Sequence, residues 1–191
     1  MDRGVNLTDP RQHVLIVCEG KKTEPIYFEN FRASGLVIQV EGTGKNTLQL
    51  VKWALKLKKG GEYDQVWCVF DKDDFAIDSF ENAIHCAEQN NIKVAYSNQA
   101  FELWYVLHFE YLNTAINRSD YMKKLDKHLG FKYEKNNPDM FQILHSNMKI
   151  AIQNAERLLK RYDKTHSGYN DPSTMVHELV KALIEQAKPL G

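Results

Sequence analysis

The sequence predicts an α/β fold: a four-stranded parallel sheet in the order 2-1-3-4, flanked by helices and followed by a C-terminal helical extension. Three observations carry that expectation. Short apolar runs of strand length alternate with stretches of helical period through residue 96, joined by short loops, which is the pattern of successive βαβ units. Two of those runs, His13–Cys18 and Val66–Phe70, are continuously apolar, as strands covered on both faces are. Both runs stop abruptly at acids, Glu19 in one case and Asp71, Asp73 and Asp74 in the other. If those strands are neighbours and the chain winds outward from them, their carboxyl ends border the crevice where open α/β sheets place ligands.

Taken in order, residues 1–10 form a lead-in ending in Asp9-Pro10, and the first strand covers residues 13–18. Glu19–Pro25 turns into a helix with Thr23 as expected N-cap, Pro25 in the first turn and Ser34-Gly35 as its close. Leu36–Val40 is the second strand. Asn46 or Thr47 caps a helix whose Leu48, Val51, Leu55 and Leu50, Ala54, Leu57 follow the i, i+3/i+4, i+7 rule before Gly60-Gly61 ends it. The third strand is 66–70. A helix from Asp78-Ser79 to about Gln89 turns Phe80, Ala83, Ile84 and Ala87 inward, and Ile92–Tyr96 is the fourth strand.

Beyond residue 97 the pattern becomes helical. Phe101–Phe109 reads as an aromatic-rich helix on the sheet, followed by helices at 119–129, 138–161 and 174–187. In the second of these Ile143, Ile150, Ala151, Ala155, Leu158 and Leu159 supply the apolar side, and in the last Met175, Leu179, Leu183 and Ile184 do so. The expected division is a core at 10–100 and an extension at 101–191 packed on it as one unit, a size that 191 residues allow.

Composition excludes several classes. Apolar residues at 43% and charged residues at 26% suit a soluble globular chain. No run approaches the ~20 apolar residues of a membrane span, and Met1–Gly4 lacks the basic-then-apolar order of a signal peptide. The expected location is the cytoplasm, with no membrane partner. Three cysteines without a C-x-x-C pair argue against zinc or a disulfide framework. Residues 1–100 hold 12 Lys+Arg and 14 Asp+Glu, net −2; the remainder hold 13 and 11, net +2. That imbalance does not by itself indicate nucleic acid.

The acids are the main chemical signal. Asp71 and Asp73 lie two apart, so on an extended chain they project to one side about 7 Å apart. With Glu19 opposite, they would suit a hard cation such as Mg²⁺, which takes a few carboxylates and keeps waters for a substrate phosphate. Equally, three acids after a strand can form a solvated turn, with Asp74 or Asp78 capping the next helix. Lys21 or Lys22 could hold a phosphate or merely decorate the helix entrance. Glu102 could be an accessory ligand or a packed, paired residue, and His108 between Leu107 and Phe109 reads as a core histidine or an accessory catalytic group. Gly42–Thr47 superficially suggests a P-loop, but Gln39 and Asn46 occupy positions the motif reserves for glycine and Ser/Thr. A phosphate contact by this loop stays open. Lys123, Lys124, Lys127, His128, Lys132 and Lys135 beside Tyr121, Phe131 and Tyr133 form either a backbone-tracking patch or a solvated helix face.

Several stretches together resemble the RloB-like family. They are Val14–Gly20 with Lys22–Pro25 and Tyr27-Phe28, then Phe70–Asp73, Ser97-Asn98, Phe101–Trp104 and Leu107–Phe109. Tyr133–Lys135, Asn154-Ala155, Pro172–Thr174 and His177–Val180 continue the likeness to the end of the chain. The resemblance implies a Toprim-type core, the catalytic fold of topoisomerases, primases and OLD-type nucleases. In that fold a glutamate after strand one and a D-x-D after strand three bind Mg²⁺ or Mn²⁺, and these map onto Glu19, Asp71 and Asp73. It further implies a role in phage defence and abortive infection, a DNA or RNA substrate and an AAA/ABC-type ATPase partner. Asp74 then becomes a supporting or capping residue. The expected activity is metal-dependent phosphodiester hydrolysis; the alternative is a non-catalytic Toprim-like regulatory or assembly subunit for the ATPase.

Overall fold

The computed structural model describes residues 11–72, 76–162 and 167–187. Four parallel strands, β1 (Gln12–Cys18), β2 (Leu36–Gly42), β3 (Gln65–Lys72) and β4 (Lys93–Asn98), form one sheet in the order β2-β1-β3-β4. This is the predicted order. β1 and β3 are neighbours, with Cys18 opposite Val69, so both strands deliver the residues after them to one edge.

The unbroken apolar runs are explained by helices on both faces. Val14, Ile16, Cys18, Trp67, Val69 and Ala95 point to one side. They meet α1 (Thr23–Phe28), α4 (Glu102–Val106), α5 (Arg118–Leu129), α6 (Met140–His145), α7 (Met148–Leu159) and α8 (Val176–Gln186). Leu15, Val17, Val66, Cys68 and Phe70 point to the other, against α2 (Thr47–Gly60) and α3 (Ile77–Gln89). The alternation along each strand is that of any pleated sheet; only the second cover makes every position apolar.

Four expectations are corrected. Thr23 is not an N-cap: Lys22 holds that position without a side-chain bond, and the Thr23 hydroxyl donates instead to Asn136 Oδ1 at 2.9 Å. The first helix ends at Phe28 rather than at Ser34-Gly35, because Asn30 Nδ2 bonds back to the Ile26 carbonyl and the chain leaves in turns. The stretch 138–161 is two helices, not one. Ser146 and Asn147 interrupt it, with Asn147 at φ −100°, ψ 8°, and both are residues whose side chains compete for the backbone. Finally, Leu48, Ile143, Ile150 and Ile184 are exposed, not inward. Asn46 does cap α2, accepting the Gln49 N–H at 3.2 Å.

The stretch before α8 does something periodicity could not show. Instead of starting the helix, Thr174 forms an antiparallel bridge with Ser97. Met175 N–H donates to Tyr96 O at 2.7 Å, and Asn98 N–H donates to Ser173 O at 2.7 Å. This strap covers the carboxyl half of the outer edge of β4. Among the described residues no helix is long and apolar enough to cross a membrane.

Candidate functional site

At the carboxyl edge Glu19 follows β1 and Asp71 is the penultimate residue of β3. The Asp71 N–H donates to Glu19 Oε2 at 3.2 Å, and the Glu19 N–H donates to Val69 O at 2.8 Å. The two acids are thus fixed to each other through the β1–β3 pairing. Asp73 and Asp74, the other half of the D-x-D-D stretch, lie outside the described residues. Lys22 is exposed at the entrance to α1.

Two further carboxylates join the pair. Glu24, in the first turn of α1, is 6% exposed, and its carboxylate accepts from the Gly20 N–H. A Cβ at Gly20 would meet the Glu24 carboxylate, so any other residue here would displace that side chain from its present position. Glu102, in the first turn of α4, is 3% exposed. It accepts the Tyr133 hydroxyl at 3.3 Å and faces Lys135 Nζ at 3.6 Å. Lys135, grouped in the sequence with a surface basic patch, therefore serves the acid cluster.

The electrostatics report this crowding. Burial pushes the Asp71 carboxyl well above the usual carboxylate range, and the charges of Glu24, Glu102 and Glu19 push it further; Arg118 opposes them. Glu19 and Glu24 are raised too, chiefly by burial, with Glu24 adding to the first and Glu102 to the second. Like charges gathered in a water-poor site hold protons more tightly or await a cation. Arg118 is anchored by Nη2–H donating to the Gln99 carbonyl at 2.8 Å, on a turn where Gln99 adopts φ +74°.

His108 lies apart from this cluster. It is 1% exposed, its Nδ1–H donates to Trp104 O at 2.9 Å, and its ring packs edge-on against Trp104. Burial lowers its pKa to about 4, so it is neutral at physiological pH, with Nε2 lacking a hydrogen-bond partner among the described residues.

The oxygen-only character of Glu19, Asp71, Glu24 and Glu102 suits a hard cation. Among the described residues, however, no three acid, imidazole or thiolate groups are arranged to hold a metal ion. A wide groove between α3, β4, α7 and α8, lined by Trp67, Lys93, Tyr96, Leu159 and Met175, contains none of these acids. Charge, not concavity, marks the candidate site.

Sequence reasoning assigns no role to Glu24 or Arg118. Glu24 has a signal in the glycine four residues before it, since Gly20 leaves room for a returning side chain. Arg118 has none, for only tertiary packing brings the start of α5 to the β4–α4 turn.

A family model described as RloB-like protein matches residues 14–183. No curated protein and no solved structure matches the chain.

Proposed function

The chain belongs to the RloB-like family, and on that premise we propose that it is a metal-dependent nuclease of Toprim type. It would hydrolyse phosphodiester bonds in DNA or RNA as part of phage defence, beside an AAA/ABC-type ATPase. The observation that carries this reading is the convergence of Glu19, Glu24, Asp71 and Glu102 at the carboxyl edge of β1 and β3, where burial and mutual repulsion leave Asp71 in need of positive charge.

Glu19, Asp71 and Asp73 are the residues that would hold Mg²⁺ or Mn²⁺. Such an ion supplies charge neutralisation at the phosphate and a more acidic bound water. The chain supplies the rest. Glu19 Oε2 accepts the Asp71 N–H, which orients the carboxylate and leaves Oε1 for one of two roles, a bond to the ion or acceptance of a proton. Its raised pKa makes it a stronger base than an ordinary glutamate. Arg118 offsets part of the charge on Asp71 and Glu19. Tyr133 and Lys135 fix Glu102.

The tyrosine bonded to the acid cluster is not placed for tyrosyl transfer. Tyr133 is 4% exposed and donates to Glu102. Burial and the adjacent carboxylate push its phenol upward, so it is suited to donating a hydrogen bond and not to attacking as phenolate.

The test is cleavage of DNA and RNA panels with Mg²⁺ or Mn²⁺, by the protein alone and with its ATPase partner. Cleavage should appear and should be lost in Glu19→Gln and Asp71→Asn. Activity surviving both substitutions would falsify the mechanism. Calorimetric Mg²⁺ binding without cleavage under any of these conditions would favour the non-catalytic subunit.

A further inference from the structure

Helix α2 carries Lys52, Lys56, Lys58 and Lys59 and no acidic residue from Thr47 to Gly60. Lys58 is used internally, donating to the carbonyls of Asn90 at 2.8 Å and Asn91 at 3.0 Å. Among the described residues Lys52, Lys56 and Lys59, together with Lys45 in the preceding loop, form no ion pair or hydrogen bond through their ammonium groups. On α5, by contrast, Lys123 pairs with Asp120 at 2.7 Å, and Lys124 pairs with Glu110 at 2.5 Å. On a chain of zero formal net charge, an acid-free lysine face is a local concentration of positive potential.

An aromatic ring sits within that face. Lys45 Nζ lies 5.3 Å and Lys56 Nζ 5.0 Å from the Trp53 ring centroid. The other two tryptophans, Trp67 and Trp104, are 4% and 0% exposed, whereas Trp53 is half-buried. The loop before α2 also touches the acid site. Gly44 N–H donates to Glu19 O at 2.8 Å, and Thr43 N–H donates to Cys18 O at 3.0 Å. One end of the lysine face therefore abuts Glu19.

We propose that α2 and its leading loop form a track for single-stranded nucleic acid, with a base stacked on Trp53 and phosphates on Lys45, Lys52 and Lys56. The two ammonium groups lie over the Trp53 ring; an incoming base takes the place of one and frees it for a flanking phosphate, so that cations and an aromatic platform match alternating phosphates and bases. A duplex keeps its bases stacked on one another, so only an unpaired strand can offer one to Trp53. The nuclease reading enters only in the direction of the track, from Trp53 past Gly44 towards Glu19. Binding itself does not depend on that reading.

The experiment titrates the full chain with fluorescently labelled oligothymidylate or oligouridylate, and with a duplex of equal length, over a salt series in EDTA. The single strand should bind more tightly than the duplex and quench tryptophan emission. Lys52→Glu/Lys56→Glu should weaken binding about tenfold or more and reduce the salt slope by about 1.4, the share of two phosphates on a single strand. Trp53→Ala should weaken it about 5- to 150-fold, as loss of one stacked base does, with Trp53→Phe restoring most of it. Lys123→Glu/Lys127→Glu on α5 should leave it within about twofold. Circular dichroism of each variant separates lost binding from lost folding. Unchanged binding after the α2 reversals, a preference for duplex, or equal competition by polyglutamate or anionic vesicles overturns the track. Intact EDTA binding without cleavage under Mg²⁺ tells against the nuclease reading alone. Cleavage that needs Glu19 but ignores the α2 lysines tells against the track alone.

Discussion

The two short helices α1 and α4 each do two opposite things within one turn. Their first turns carry Glu24 and Glu102 into the acid cluster. Within the same stretches, Tyr27 and Phe28 on α1 meet Phe101, Trp104 and Tyr105 in a dense aromatic contact. There the polar atoms are satisfied: Trp104 Nε1–H donates to the Tyr27 oxygen at 2.9 Å, and the Tyr27 hydroxyl points to Met148 Sδ at 3.6 Å. In the acid cluster repulsion persists. Carboxylates that disfavour one another's charge are thus carried by two helices whose mutual packing is apolar and aromatic, and Arg118, Lys135 and Tyr133 offset part of the charge.

Breaking the aromatic contact should have the largest effect. Trp104→Ala removes a fully buried indole and should cost about 3–5 kcal/mol, read as a lower denaturant midpoint. Tyr27→Phe removes the acceptor of the Trp104 N–H together with the weak bond to Met148 Sδ and should cost about 1–3 kcal/mol; an unchanged midpoint would show that this hydroxyl does not tie the helices together.

Substitution in the acid cluster should act in the other direction. Asp71→Asn removes a charge that burial and three carboxylates disfavour, so the fold should become more stable while cleavage is lost. A destabilised Asp71→Asn protein would mean that the charge is well compensated.

The two regions also respond oppositely to pH. Because Asp71, Glu19 and Glu24 are raised, the folded chain holds protons that the unfolded chain has released. Their contribution to stability therefore falls as pH rises from about 4 through the raised values. His108 is lowered to about 4, so the unfolded chain binds the extra proton, and its contribution falls as pH drops from about 6.5 to 4. In that overlap the wild-type profile is a compromise. His108→Gln should recover stability on the acid side, and Asp71→Asn should flatten the alkaline side, both measurable as melting temperature against pH. The smallest effect is expected at Lys181, whose pairs with Glu156 and Glu178 lie on an open surface; Lys181→Ala should cost no more than about 1 kcal/mol.

Much of the fold is legible in the sequence because parallel strands and their helices carry different periods. The apolar runs at β1 and β3 announce a sheet covered twice, and their acid ends announce its carboxyl edge. The break at Ser146-Asn147 is hidden because the apolar residues on either side continue a plausible helical pattern across it. The same continuity turns Ile143 and Ile150 inward on paper, although both are exposed. In the site, Glu19 and Asp71 can be paired from strand order alone, since adjacent strands share an edge. Glu24 and Glu102 cannot, because their meeting depends on how α1 leans against α4 through Tyr27 and Trp104. Nor does residue spacing separate Lys135, bound to Glu102, from the other lysines of the same stretch.

The acid cluster also has an order in time. Its carboxylates belong to residues 19, 24, 71 and 102, whereas the cationic groups beside them, Arg118 and Lys135, follow in the chain. Synthesis from the N-terminus therefore makes the repelling charges first and the compensating ones last. A nascent chain that has emerged only as far as Asn98 has the four strands but neither Glu102 nor a basic side chain from α5 or beyond. The carboxyl edge gains its full set of charges only after α4 and α5 have been made.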